Sequence, residues 1–236
     1  MPKAWTTNPA ACAALEREGC GLAVGPLDGT TWRRYRCVTE RGVDPPFFLE
    51  PDNPDGWPIQ FEDAGFAPLA RYCSTIADRL DRPDPDLESR ADRLARHGVR
   101  IRPWDPADAA EELRRIHAVS RVGFARNLLY TPIAEGEFLT LYRPLLPYVD
   151  PRLILLAERD SRTVGFIFAV PDRLQAARGQ PVDTIIVKSL AILPERPLAG
   201  LGGLLLARVQ AQAVELGYRR AIHALLHQAT ASRHLS

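Results

Sequence analysis

Residues 189–227 read SLAILPERPLAGLGGLLLARVQAQAVELGYRRAIHALLH, and the fold is decided here. The run that leads into them, residues 182–193 (VDTIIVKSLAIL), is mostly β-branched and predicts a long strand. Residues 194–203 (PERPLAGLGG) predict a loop. A helix follows from about Leu201 to Leu216, its apolar positions Leu201, Leu204, Leu205, Val209 and Leu216 falling mainly on one side. Gly217 suits the C′ position that stops a helix, and residues 219–227 return as a strand. Gly200, Gly202 and Gly203 allow close backbone approach and leave amide N–H groups free at the helix start. The partial positive charge there favours phosphate. Glycines before a helix also serve as a plain tight turn. No GKS or GKT is present, and Gly-x-Gly-Gly is not the GxGxxG of a dinucleotide fold.

Working outward, Val99 and Ile101 share one face of a strand over residues 99–104. Asp105 or Asp108 then caps a helix on which Leu113, Ile116, His117 and Ser120 are aligned. A second helix is expected over residues 134–146, with Phe138, Leu141, Tyr142 and Leu145 on one side and Pro144 ending or kinking it. Strands over 152–159 and 163–170 flank Asp160-Ser161, a hairpin turn. The order β-α-α-β-β-β-α-β is mixed α/β. Residues 81–86 (DRPDPD) form a Pro/Asp turn segment, and 87–97 a short charged helix stopped by Gly98, so the expected division is 1–80, a linker with a helix over 81–98, and 99–236.

Composition narrows the function. The 236 residues are 46% hydrophobic and 25% charged, enough for a core and too apolar for general disorder. No apolar run reaches the roughly 18 residues of a membrane helix. The net charge of +1 selects neither nucleic acid nor an anionic membrane as partner. Residues 1–97 hold 12 basic and 16 acidic side chains, and residues 98–236 hold 18 and 13, so the second half is the better place for an anionic ligand. Lys3 and Lys188 are the two lysines; arginine carries the rest of the positive charge. Glu16, Arg17 and Glu18 interrupt the N-terminal region, leaving no apolar core for a secretory signal. Cys12, Cys20, Cys37 and Cys73 form no CxxC pair and have no histidine at ligand spacing. They read as scattered thiols of a cytoplasmic protein, with no metal site.

The element order together with residues 189–227 resembles the GCN5-related N-acetyltransferase family. Leu190-Ala191-Ile192 matches that family's strand end, Pro194-Glu195 its turn, and Gly200-Leu201-Gly202 its glycine pair. The resemblance covers about residues 99–236. It implies acetyl-CoA as co-substrate, with pantetheine amides bonded to the strand end and the pyrophosphate held by the loop. The cofactor-binding residues it implies are Leu190, Ala191, Ile192, Arg196, Ala199, Gly200, Leu201, Gly202 and Gly203. The thioester would lie where this strand splays from the 219–227 strand, and acetyl would pass directly to a primary amine. Pro197 stands where the family has Gln or Arg and offers no N–H; Arg196, one place early, can compensate by side-chain pairing. Residues 230–236 (TASRHLS) resemble the start of the family's last helix. The family continues with two more strands, about 20–25 residues on ordinary element lengths. A tyrosine general acid commonly lies there, so no catalytic residue is assigned. The edge beside residues 219–227 is then expected to be open, inviting a homodimer.

Residues 47–74 (FFLEPDNPDGWPIQFEDAGFAPLARYCS) read as a strand, Asn53, a helix with Trp57 and Phe61, then Gly65-Phe66 and a strand ending at Tyr72. They look like the C-terminal half of a second, degenerate unit of the same family. Residues 24–29 (VGPLDG) lack the Gly-x-Gly helix start, so this unit is expected to shape or support rather than bind cofactor. Its strands over 47–49 or 68–73 are candidates for pairing with the exposed sheet of the second half.

Other residues carry two readings each. His223 and His227, at i and i+4 on a strand, share a face with Leu225, as bases beside the cofactor or as ordinary strand histidines. Asp183 is a base acting through water or a turn residue, and Glu195 belongs to the turn. Lys188 faces the cleft or extends to solvent. Asn127, Tyr130 and Tyr142 line the acceptor site or pack helix ends, and His117 is a hydrogen-bonded core residue. Trp32 with Arg33, Arg34 and Arg36 reads as a half-buried strand ahead of a nucleic-acid contact. The resulting expectation is a bacterial-type N-acetyltransferase acting on a small-molecule or peptide amine. The alternative is a non-catalytic acyl-CoA-binding or regulatory domain, including a truncated gene product.

Overall fold

The structure is a computed structural model that describes residues 8–81 and 84–227. The chain divides into two compact units, Met1–Arg71 and Tyr72–Ser236.

The described part of the first unit holds two helices and no strand: α1 (Asn8–Arg17) and α2 (Gly56–Asp63). The strand expected over residues 47–49 is a turn, in which the Glu50 amide bonds the Phe47 carbonyl and Leu49 is left-handed at φ 69°. Residues around Trp32 are likewise turn and irregular chain. The helix carrying Trp57 and Phe61 is present, with the Phe61 and Phe66 rings edge to face at 5.2 Å. Asn53 acts as a local clasp: its Oδ1 accepts from the Val38 amide and its Nδ2 donates to the Val38 and Pro54 carbonyls.

The second unit is a six-stranded mixed sheet with helices on both faces. Its elements are β1 (Tyr72–Ala77), α3 (Leu87–Arg96), β2 (Arg100–Pro103), α4 (Ala109–Gly123), α5 (Glu135–Tyr142), β3 (Ile154–Arg159), β4 (Arg162–Pro171), α6 (Arg173–Ala177), β5 (Thr184–Ile192), α7 (Leu201–Glu215) and β6 (Arg220–His227). The strand order is β1-β6-β5-β4-β3-β2, with β5 and β6 parallel and every other pair antiparallel. The expected helices and strands of residues 99–227 are all present. Pro144 does end α5, and a 3-10 segment, Arg143–Tyr148, takes over. Asp160 and Ser161 both have positive φ, 51° and 61°, as a two-residue hairpin of the primed type requires.

Alternation along the strands sorts side chains between two layers. Leu155, Ala157, Ile167, Ala169, Ile185 and Val187 pack with Leu201, Leu205 and Val209 of α7 and with Leu94 of α3. The opposite face carries Phe166 and Phe168, which meet Phe124 and Tyr142 from the α4–α5 layer. Glu112 of α4, 1% exposed, is neutralised by a bidentate pair with Arg102 of β2 and by Arg115.

Two corrections to the expected organisation follow. The boundary lies at Arg71/Tyr72, ahead of residues 81–98, because β1 is a strand of the second unit's sheet and Leu94 of α3 is part of its core. The β6 edge is not open: β1 runs antiparallel to it from Tyr72↔His227 to Ala77↔Ala221, which removes the ground for a homodimer formed there. The pairing expected of residues 68–73 thus begins at Tyr72 and continues to Ala77. The helix start expected over residues 230–236 lies outside the described residues.

Candidate functional site

The sheet opens between its two parallel strands. β5 and β6 pair from Thr184↔Arg220 to Val187↔His223 and no further. Beyond that point Ser189–Ile192 remain paired to β4 on one edge only, and Leu226 and His227 pair only with β1. A bulge accompanies the parting. Phe168 faces Ser189 and Ala169 faces Val187, so Lys188 is the extra residue. Leu190, Ala191 and Ile192 therefore present one free backbone edge towards the opening. The Ala191 side chain is buried against Gly123 of α4, where an added Cβ would sit 2.9 Å from it.

The glycine loop follows immediately. Arg196–Leu198 form a 3-10 turn in which Pro197 occupies an early position whose N–H needs no internal partner, so the proline suits the turn. Gly200 is the N-cap of α7, left-handed at φ 82°, and has no side chain with which to cap the helix. The first-turn amides of Leu201, Gly202 and Gly203 have no intrahelical acceptor. The Leu201 side chain is fully buried, so its contribution to a ligand is limited to backbone. Arg196 is exposed and makes no ion pair among the described residues. Glu195 is a turn residue, held by Arg162 and Arg159 across the β3–β4 hairpin.

One contributor was missed in the sequence. Arg93 of α3 donates to the Ala199 carbonyl, and a Cβ on Gly200 would meet Arg90 Cδ at 3.0 Å and Arg93 Nη2 at 3.1 Å. Arg93 thus reaches the loop from 106 residues away, with Arg90 beside it, and Arg90 is itself tied to Asp84 at 2.9 Å. The charged helix over residues 87–97 was legible; its place against the loop was not.

The remaining candidates separate clearly. His223 stands at the point of parting and is 5% exposed. Burial holds its pKa below the ordinary value, and Gln210 of α7 lies 3.4 Å from Nε2. Thr75, its partner on β1, keeps a buried Oγ1 with no hydrogen-bond partner among the described residues. His223 and His227 do not share a face. An extra β6 residue between the Thr75↔His223 and Cys73↔Leu226 pairs, with Leu225 at φ 56°, turns His227 to the other side, where it meets the Tyr72 ring at 4.9 Å. Asp183 is bound to Gln175 and Thr184. The Gln175 hydrogen bond in particular lowers its pKa, and it precedes the paired end of β5, remote in sequence register from the opening. It anchors the turn that leads into β5. His117 donates Nε2–H to the Ile133 carbonyl at 2.9 Å, as a core histidine does. Tyr130 donates to the Arg121 carbonyl at 3.3 Å and Asn127 is exposed. Tyr142 stacks on Phe138 at 4.3 Å and accepts from Lys188 Nζ at 3.2 Å. Lys188 therefore turns to the α5 side of the sheet and is half-buried.

Among the described residues no helix is long and apolar enough to cross a membrane, no group of three or more His, Cys, Asp or Glu side chains is placed to hold a metal, and the four cysteines are free.

The chain has the GCN5-related N-acetyltransferase fold. It superposes on such a protein from Sphaerobacter thermophilus with a TM-score of 0.51 at 18% identity, covering 74% of this chain and 49% of that one. It matches the GCN5-related glucosamine N-acetyltransferase region of a fungal multi-domain GH3 β-N-acetylglucosaminidase with a TM-score of 0.50 at 13% identity, covering 75% and 21%. Among curated proteins, it is 26% identical over 164 residues to Protein YghO of Escherichia coli (strain K12), covering 69% of this chain and 42% of that protein. The chain thus spans less than half the length of each of these relatives. No protein-family profile matches it.

Proposed function

We propose that the second unit is an N-acetyltransferase that takes acetyl from acetyl-CoA and passes it directly to a primary amine. The observation that carries this reading is the parting of β5 from β6 directly ahead of a side-chain-free α7 N-terminus. One free strand edge and one set of unpaired amides, in that order along the chain, suit the two polar parts of an acyl-CoA. The edge of Leu190–Ile192 takes the pantetheine amides as an added strand would. The first-turn amides of α7 take the pyrophosphate, and Arg196 adds a charge-assisted contact. Bound acetyl-CoA supplies an activated acyl carbon at the opening. The chain's part is to hold it, to admit the amine from the α4–α5 side and to keep water away.

Calorimetric titration with acetyl-CoA tests the reading, with Gly202→Glu as the control. An added Cβ at Gly202 meets Leu190 Cδ2 at 3.6 Å, an ordinary contact, so a side chain is accommodated. A carboxylate there opposes the pyrophosphate and should lower affinity at least about tenfold, which is 1.4 kcal/mol. Undiminished affinity in a folded variant refutes the loop assignment. Binding without turnover across an amine panel supports the non-catalytic acyl-CoA-binding reading.

A further inference from the structure

We propose that Lys188 binds a carboxylate on the acyl acceptor, so that the acceptor is an amine that also carries an acid group and not a polycation. The proposal rests on the acyltransferase reading for its acceptor, but its own observations are independent of the glycine loop. Lys188 is the first β5 residue beyond the pairing with β6, and the bulge at that position singles it out of the sheet's alternation. The residue is half-buried, and its ammonium donates to Tyr142 Oη at 3.2 Å, lying 4.9 Å from the same ring's centre. Both contacts are with one neutral side chain, and no carboxylate is within ion-pair distance among the described residues. An ammonium has three donors, so two remain. A partly desolvated cation left with neutral partners gains most from an anion brought to it.

The surrounding charge agrees. Arg121, Arg126 and Arg143, on the α4–α5 segment that frames this side, are exposed and make no ion pair among the described residues. The carboxylates of the same segment do not outweigh them: Glu111, Glu112 and Glu135 are engaged by Arg114, Arg115 and Arg102, and Glu137 of α5 is one further negative charge against three arginines and Lys188. A polyamine or other multiply charged cation meets an unfavourable field here, and a molecule with one amine and one carboxylate does not. Tyr142, stacked on Phe138, holds the lysine head in one place, so the carboxylate is received at a fixed position relative to the opening.

The test uses probes that resemble acylated products: the N-acetyl derivatives of glycine, leucine and phenylalanine, each against its amide, titrated calorimetrically into the full chain. At least one acid should bind about tenfold better than its amide, the worth of one charge-assisted hydrogen bond. Lys188→Met should abolish that preference while leaving the affinity for the amide unchanged, and Lys188→Arg should keep part of it. Circular dichroism and acetyl-CoA titration on the same samples establish that each variant is folded, and Lys188→Gln stands in if Lys188→Met is not. No preference in the unmodified chain, or a preference that survives in Lys188→Met, overturns the proposal. Acetylation of Lys188 itself on incubation with acetyl-CoA overturns it too. Failure to bind acetyl-CoA with the acid preference intact would remove the acyltransferase reading and leave the carboxylate site standing.

Discussion

Replacing Gly200 by alanine separates what the backbone demands from what the α3 arginines demand. At φ 82° and ψ −3° Gly200 is in the left-handed region, which costs an L-residue with a Cβ about 1–2 kcal/mol. The new Cβ would also stand 3.0 Å from Arg90 Cδ, 3.2 Å from Arg90 Cγ and 3.1 Å from Arg93 Nη2. These are flexible side chains, so they move aside, and the Arg93 hydrogen bond to the Ala199 carbonyl is forfeited at about 1 kcal/mol. The single variant should therefore lose about 2–3 kcal/mol in urea unfolding monitored by circular dichroism. In an Arg90→Ala/Arg93→Ala background the steric part is gone, and the same substitution should cost only about 1–2 kcal/mol. The difference, about 1 kcal/mol, lies within the range that double-mutant cycles resolve for residues in contact. Equal costs in the two backgrounds, within about 0.3 kcal/mol, would refute the claim that α3 shapes the loop. No cost in either would refute the left-handed conformation.

Three further outcomes test the scaffold. Glu112→Gln should lower unfolding free energy by about 3 kcal/mol, because it removes the charge that Arg102 and Arg115 meet inside the unit; a change within experimental error in urea titration would contradict this. Thr75→Val should raise stability by about 1 kcal/mol, since it replaces a buried hydroxyl lacking a partner with a methyl of the same shape, read as a higher urea midpoint. His223 has a folded pKa below its ordinary 6.5, so the unfolded chain takes up the proton first. Stability is therefore full above that value and falls as pH drops through 6.5 towards the folded pKa, and His223→Gln should flatten this part of the urea-midpoint profile against pH.

The strand, loop, helix and strand of residues 182–227 are legible in the sequence because each is a local pattern. Alternation and β-branching mark β5, a 3.6-residue period marks α7, and glycine chemistry marks the junction between them. The hairpin at Asp160-Ser161 and the end of α5 at Pro144 are equally local. The candidate cofactor segment could thus be named, down to Gly200 at a position that requires a positive φ. Reading failed where the physics was not local. An i, i+4 rule placed His223 and His227 together, but a bulge of one residue reverses the face of everything beyond it, and no composition signal announced it.

Sequence by itself determined the mixed α/β class and a glycine loop opening a helix, since both follow from patterns within a few residues. Only the tertiary structure decided that residues 72–77 close the β6 edge, that Arg93 reaches a carbonyl 106 residues away, and that Lys188 meets Tyr142 across 46 residues. Those contacts depend on which strands lie side by side in the sheet and on where each bulge shifts the register. Many pairings of the same elements satisfy the local patterns equally well, and the choice among them is made by burial of the whole core at once.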